Sequence, residues 1–497
     1  MELYVSEFSK YVIPLLMVLY TLDCFLVFCH DNEEKRRGNY ARQNIYMFAM
    51  HFSCFMVICF ETGEITYLFF YAFQQIVLYA AIVLFKMLYP KTNRLLVNNM
   101  CMLLSISFVI LTRLDMNKAI RQFIIVTGSL AVALVIPFFV HKFKFLKNLQ
   151  WIYAVLGIAA LSVVLILGQT TYGSKLSYSI AGVTFQPSEF VKILFVFFVA
   201  SALYRSASFF EVFTTAVIAA AHVAVLVLSK DLGSALIFFV VYVLMVYVAS
   251  KNLLYIGAGL IGGAGAAYFA YSVFTHVQVR VQAWKDPWSV IDAEGYQITQ
   301  SLFAISGGGL FGLGLYKGTP NAIPLVEADF IFSAIAEEMG IIFSVCMILI
   351  CVSCFIMFMR IAADLKDRFY QLTAFGLGVT YIFQVFLTIG GGTKFIPLTG
   401  VTLPLISYGG SSVLTTLIMF SVVEGLCIIR QDEEEERRNR IKAARKRKKK
   451  IRRMEEEKEE EEEEEDLKSS MEEFLQEDEE VSETACDKGA TFEKRTR

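Results

Sequence analysis

The chain has 497 residues, 56% of them hydrophobic, with a mean hydropathy of +0.55. So apolar a composition excludes a soluble globular protein of this size. The formal charge of −2 hides a strong segregation of charge at the C-terminus and by itself selects no partner; nucleic acid is not expected as one.

A helical membrane crossing needs about 20 apolar residues. Runs of that kind predict thirteen spans, at 11–29, 43–60, 65–88, 98–112, 119–140, 151–169, 187–204, 211–228, 232–249, 253–275, 330–359, 370–390 and 411–429. No short apolar run with a cleavage site opens the chain, so no removable signal peptide is expected. Lys and Arg in short loops set the orientation. Alternating the spans gathers three basic hairpins on one side: Lys35, Arg36, Arg37 and Arg42; Lys86, Lys91 and Arg94; Lys142, Lys144 and Lys147. Arg360, Lys366, Arg368 and the basic tail join them, and that side is expected to be cytoplasmic. The loop after Glu61 and the segments 170–186, 277–329 and 391–410 then face outward.

Nine of the ten cysteines fall within or at the ends of spans, and Cys486 lies in the tail. Cys351 and Cys354 form a mid-membrane C-x-x-C without further ligands, which reads as packed thiols rather than metal or redox chemistry. Within 253–275, Gly257, Gly259, Gly262, Gly263 and Gly265 predict close approach of a neighbouring helix. In the tail, a basic block from Arg437 to Arg453 precedes an acidic one from Glu455 to Asp466. It reads as solvated, partly helical or disordered, while the basic block also suits anionic membrane lipid.

Several motifs carry chemistry. Gln186-Pro187-Ser188-Glu189-Phe190 with Lys192 reads as a capped helix start, because Pro187 loses no hydrogen bond there and the acid suits the first turn. Lys230 and Asp231, at a span boundary, are either a functional ionisable pair or structural. The outward segment 277–329 has neither His nor Cys, which leaves Asp286, Asp292, Glu294, Glu327 and Asp329 as proton acceptors. Burial at the mouth of a low-dielectric cavity raises a carboxylate's pKa and makes it a competent base near neutral pH. Asp329 just before a helix would equally serve as its cap. Arg280 and Lys317 are cations suited to a pyrophosphate. Lys394, after Gly390-Gly391-Gly392, suits a phosphate or lipid headgroups. Finally, Pro397 to Ser412 concentrates Pro, Gly and Ser between two apolar runs. Such backbone cannot face lipid, where each unpaired group costs several kcal/mol, so it must sit inside protein or line a wet cavity.

That segment, Pro397-Leu-Thr-Gly-Val-Thr-Leu-Pro404-Leu-Ile-Ser407-Tyr-Gly-Gly-Ser411-Ser412, resembles the signature of the SEDS proteins (shape, elongation, division and sporulation; the RodA and FtsW type). Gln186 to Lys192 is similar to the Q-P-S-E-F-x-K of that family, and Lys230-Asp231-Leu-Gly233 to its Pro-Asp-Leu-Gly. Arg113 to Gln122 resembles its first outward hairpin. Pro324, five residues before Asp329 and its following Phe-Ile-Phe, matches the family's catalytic loop. The chain departs from the pattern at Ser177-Tyr178, where Arg-Trp is usual, at Lys230 for proline, and at Leu325, with Glu327 two residues nearer the aspartate.

The resemblance covers about 98–430. It implies an all-α polytopic membrane protein with a ten-span SEDS core, preceded by a three-span extension at 1–97 and followed by a charged cytoplasmic tail at 431–497. It also implies a peptidoglycan glycosyltransferase polymerising lipid II on the outer face of a bacterial cytoplasmic membrane, in elongation, division or sporulation. Asp329 would be the catalytic base, and Arg280, Lys317, Glu327, Lys394, Tyr178, Ser407 and Ser411 would bind substrate. A divalent cation, magnesium or manganese, is compatible with that chemistry, and no nucleotide is needed. The implied partners are lipid II, a class B penicillin-binding protein and other cell-wall synthesis proteins. A lipid II flippase and a scaffold for the transpeptidase are the rival readings.

Overall fold

The computed structural model describes residues 2–30, 32–171, 174–180 and 183–492, with side chains except at 2–6, 169–171, 174–176, 179–180, 183–184, 480 and 482–492. Parts of the outward segment 170–186 and the side chain of Cys486 therefore lie outside the described residues.

Long apolar runs become helices because only internal pairing satisfies their backbone in lipid. In chain order these are α1 (Glu2–Cys29), α2 (Glu33–Thr62), α3 (Thr66–Leu88), α4 (Arg94–Leu114), α5 (Met116–Lys142), α6 (Gln150–Leu167), α7 (Pro187–Leu203) and α8 (Phe209–Leu228). They continue with α9 (Leu232–Ser250), α10 (Leu254–Val273), α11 (Thr275–Lys285), α12 (Tyr296–Gly308), α13 (Ile331–Asp364), α14 (Arg368–Gly392) and α15 (Gly410–Phe492). Side chains of Asn32, Asn93, Asp115, Ser208, Asp231 and Asp367 cap six of them, each accepting from a first-turn N–H.

Among the described residues twelve helices are long and apolar enough to cross a membrane. The thirteenth predicted span is α7, which has 17 residues and carries a buried Glu189–Lys192 ion pair at 2.8 Å. Its Lys192 also donates to Gln384 at 2.7 Å. The chain is thus a multi-pass helical membrane protein.

One compact unit spans Met1–Gln431. Its hub is α4, buried along its length and packed by α2, α3, α5 and α13. Polar side chains tie α1 and α2 to it. Tyr20 and Cys24 donate to the Asn99 amide oxygen, Asn99 donates to Ser353, and Asn98 donates to Gln43. At the periphery α10 buries none of its residues. Of its glycines, Gly259 and Gly263 give the predicted close approach: a Cβ there would lie 2.8 Å from Val243 and 2.9 Å from Phe239 of α9. Gly257, Gly262 and Gly265 meet nothing within 4 Å. The nine described cysteines are free thiols.

The second unit, Asp432–Arg497, is an exposed helix in its described part. Its i,i+4 ion pairs include Glu434–Arg438 and Arg452–Glu456, the support that a helix polar on every side requires.

The segments predicted as loops hold more structure than the sequence suggested. Between α6 and α7 lies an antiparallel sheet in the order β1 (Gln169–Thr171), β2 (Ser174–Ile180), β3 (Val183–Phe185). The segment 277–329 contains α11, most of which falls within it, and α12; both are too short to register as spans. The 34-residue α13 breaks at Gly340, where φ is 84° and ψ 171°. The helical hydrogen bonds lost at that break are replaced by the loop 309–314. Ile341 N donates to Gly309 O and Leu313 N to Glu337 O, at 3.0 and 2.9 Å.

Candidate active site

The predicted catalytic loop ends at Asp329, one residue before the N-cap of α13. Leu325, forced to φ 58°, turns the chain so that Asp329 N donates to Leu325 O at 3.2 Å. The signature segment grips this turn from the other side. Tyr408 N donates to Glu327 O at 2.8 Å, and the Ser407 hydroxyl donates to Ala328 O at 2.5 Å. The same hydroxyl accepts from Leu403 N at 2.9 Å. From α5, Gln122 donates to Ser407 O and accepts from Gly409 N. The Pro, Gly and Ser backbone therefore finds its partners in protein, as its place at membrane depth demands.

Asp329 does not cap α13. Among the described residues its carboxylate accepts no hydrogen bond and forms no ion pair. Burial pushes its pKa up to about 6; the Arg280 guanidinium opposes that rise and the Glu327 carboxylate adds to it. Arg280, on α11, donates from Nη1 to Leu398 O and Thr399 O at 3.3 Å each. Gly400, at φ 73°, leaves the space between the two charges open. A Cβ there would stand 3.9 Å from Asp329 Oδ2 and 4.0 Å from Arg280 Nη2. The result is a half-buried carboxylate facing a cation across a gap that any side chain would narrow.

Glu327 is less free. It pairs with Lys118 from the first turn of α5, a residue the sequence reading did not single out. A signal existed, since a lysine in the first turn of a helix opposes the helix dipole, and at a helix start expected on the outer side it also opposes the charge bias of outer loops.

Other predicted residues take different places. Lys317 pairs with Glu61 of α2 at 2.8 Å. Its loop docks on Glu337 and Glu338, about 12 Å beyond Asp329 at the rise of a helix, so the structure does not bring Lys317 to the carboxylate. Ser407 arrives as a clamp on the backbone of Ala328 rather than as an open hydroxyl, because it is buried and bonded on both sides. Ser411 accepts from Gln186 N at 2.9 Å, joining the end of β3 to the signature. Tyr178 pairs with Phe185 across β2 and β3, and its buried hydroxyl has no partner among the described residues. Lys394 is half-buried at φ 61°, with its carbonyl held by Trp284 Nε1 at 3.1 Å. Asp231 caps α9 and accepts from Ser188 at 3.0 Å, which is the structural alternative for that residue.

Ser407→Ala should lower stability by roughly 1–3 kcal/mol, because it strips partners from two buried backbone groups. The check is the denaturation midpoint of the detergent-solubilised protein.

Known proteins align with this architecture. The sequence profile of the FtsW/RodA/SpoVE family, described as cell cycle proteins, matches residues 86–431. The chain is 33% identical over 367 residues to the peptidoglycan glycosyltransferase RodA of Mycobacterium tuberculosis, covering 67% of this chain and 77% of that one. It is 29% identical over 300 residues to the stage V sporulation protein E of Bacillus subtilis, covering 58% and 81%. Among solved structures, RodA of Thermus thermophilus superposes with a TM-score of 0.51 at 23% identity, over 69% of this chain and 97% of that one. A chain from a peptidoglycan synthase complex gives 0.58 at 23% identity, over 69% and 98%. With its clamped signature loop and more than two thirds of its length matched, the chain belongs to the FtsW/RodA/SpoVE family of cell cycle proteins.

Proposed function

We infer that this chain is a peptidoglycan glycosyltransferase that polymerises lipid II, with Asp329 as its general base. The observation that carries the role of Asp329 is its unpaired, half-buried carboxylate facing Arg280 across Gly400. Family membership and the names of the relatives support the reaction. The 4-hydroxyl of an acceptor N-acetylglucosamine attacks C1 of a donor N-acetylmuramic acid and gives its proton to Asp329. The bond from C1 to the pyrophosphate oxygen breaks, and undecaprenyl pyrophosphate leaves with the electron pair. Arg280 faces the space where that charge develops. The donor bond is already activated, so no nucleotide enters.

A magnesium or manganese ion bound mainly through substrate phosphate oxygens needs only one or two carboxylates from a protein. Asp329 and Glu327, two residues apart on the loop facing Arg280, are the acids that would meet such an ion. When bound it would neutralise the leaving pyrophosphate. The basic hairpins support an orientation with the site outside and the C-terminus in the cytoplasm. The likeness to a chain of a peptidoglycan synthase complex supports a class B penicillin-binding protein as partner, with other wall-synthesis proteins around it, during elongation, division or sporulation. On this reading residues 1–97 extend a catalytic core at 98–430, and 431–497 form a cytoplasmic tail.

The test is glycan-strand synthesis from labelled lipid II by the purified full chain with its transpeptidase and divalent ions. Polymer supports the reading. Absence of polymer, with lipid II instead appearing on the opposite leaflet of proteoliposomes, would replace it with a flippase. The rate should also follow one ionisation. The base works only when deprotonated, so a carboxyl pushed up to about 6 predicts half-maximal rate near pH 6, a plateau above and loss below. A profile flat between pH 5 and 7 would count against Asp329.

A further inference from the structure

At the end of the bundle away from Asp329, α2 and α3 meet the start of α4 around a cavity of about 350 Å³. The length of α4 separates the two sites: its 21 residues run about 30 Å, from Arg94 at the cavity to Arg113, which pairs with Glu338 near the catalytic loop. Arg37, Lys86 and Arg94 line the cavity, one cation from each helix. Lys86 and Arg94 have no ion pair among the described residues. Arg37 has only a 3.9 Å contact with Glu33, in which both side chains are more than two-thirds exposed, an interaction worth little in solvent. Neighbouring basic groups are already used, since Arg42 pairs with Asp23 and Arg36 donates to His30 O. The nearby Glu424 accepts from Asn93 N through Oε2, and it does not line the cavity.

Two further features define what would fit. The amide oxygen of Asn44, buried in the lining, has no hydrogen-bond partner among the described residues. It needs a donor, which the phosphodiester of a lipid lacks and a headgroup hydroxyl offers. The wall above the cations is apolar, formed by Ile82, Val83 and Phe85. The lining residue Tyr79 is exposed, on the surface of α3. Basic pockets between helices hold anionic headgroups.

We propose that this cavity is a binding site for one anionic glycerophospholipid, whose phosphate meets Arg37, Lys86 and Arg94 and whose headgroup hydroxyl donates to Asn44. Two of its three walls come from α2 and α3. Most of that sequence lies before residue 86, where the family match begins, so the site is a property of the extension docked on the core. In the orientation proposed above it lies in the cytoplasmic leaflet.

The experiment is native mass spectrometry of the full chain in detergent, titrated with phosphatidylglycerol or phosphatidylcholine. Wild type should retain one phosphatidylglycerol where phosphatidylcholine is not held. Replacing Arg37, Lys86 and Arg94 together by Gln should weaken that binding at least about tenfold, and Lys at positions 37 and 94 should restore it, separating charge from fold. Gln at Lys448, Lys449 and Lys450 in the basic tail should leave it unchanged. Equal retention of both lipids, unchanged binding in the triple Gln variant, or loss with the tail variant alone would overturn the proposal. So would full displacement by inorganic phosphate, which would make the site one for free anions.

Discussion

Asp329→Asn should reduce polymerisation of lipid II by at least about a thousandfold, within the range that positioned acid–base groups contribute. The substitution keeps the size of the side chain and removes the proton acceptor. Because the carboxylate takes no hydrogen bond from described residues, the variant should fold and melt as well as wild type; loss of activity without loss of stability is the diagnostic pair. Glu327→Gln makes the contrast. It breaks a pair with Lys118 that is already neutralised, so its loss should be smaller and accompanied by some destabilisation. Product strands on gels from both variants, with denaturation midpoints alongside, decide the matter. Full activity in Asp329→Asn would remove Asp329 from the mechanism and make Glu327 the next candidate.

Much of this arrangement was legible in the amino-acid sequence, for reasons that differ from element to element. The spans could be read because each must carry its own apolar length. The place of Pro397 to Ser412 could be read because irregular backbone at membrane depth has few physical homes. What local pattern cannot give is pairing across the chain. Lys118 reaches Glu327 over 209 residues, and Gln122 reaches Ser407 over 285. Lys317 reads as a cation for pyrophosphate from its own loop, and its pairing with Glu61 of α2 is another contact that local pattern does not announce. Ser407 reads as a substrate-binding residue from the resemblance alone, and its bonds to Leu403 N and Ala328 O, the latter 79 residues away, cannot be read from local pattern. The short helices α11 and α12 were hidden for a simpler reason: neither is long enough to give an apolar run, yet α11 delivers Arg280.

Gly400→Val should lower polymerisation at least about a hundredfold through a different route. The position has two constraints at once. Its φ of 73° is one that a β-branched residue adopts at a cost of roughly 1–2 kcal/mol, and its missing Cβ keeps Asp329 and Arg280 facing a common space. Valine methyls would extend beyond the Cβ position, 3.9 Å from Asp329 Oδ2, into the volume the acceptor hydroxyl needs for a near-attack geometry. Gly409 in the same segment is the control. A Cβ there meets only ordinary contacts, 3.6 Å to Ser412 and 3.7 Å to Thr402, so Gly409→Ala should keep most activity. Steric exclusion also predicts non-additivity: in the Asp329→Asn background, Gly400→Val should cost far less than it does alone, because both act on the same step. Measured rates that multiplied instead would mean that Gly400 supports the fold of the signature segment and that the reacting atoms lie elsewhere. Near-wild-type polymer from Gly400→Val would move the acceptor out of the gap between Asp329 and Arg280, and the proposed role of the cation with it.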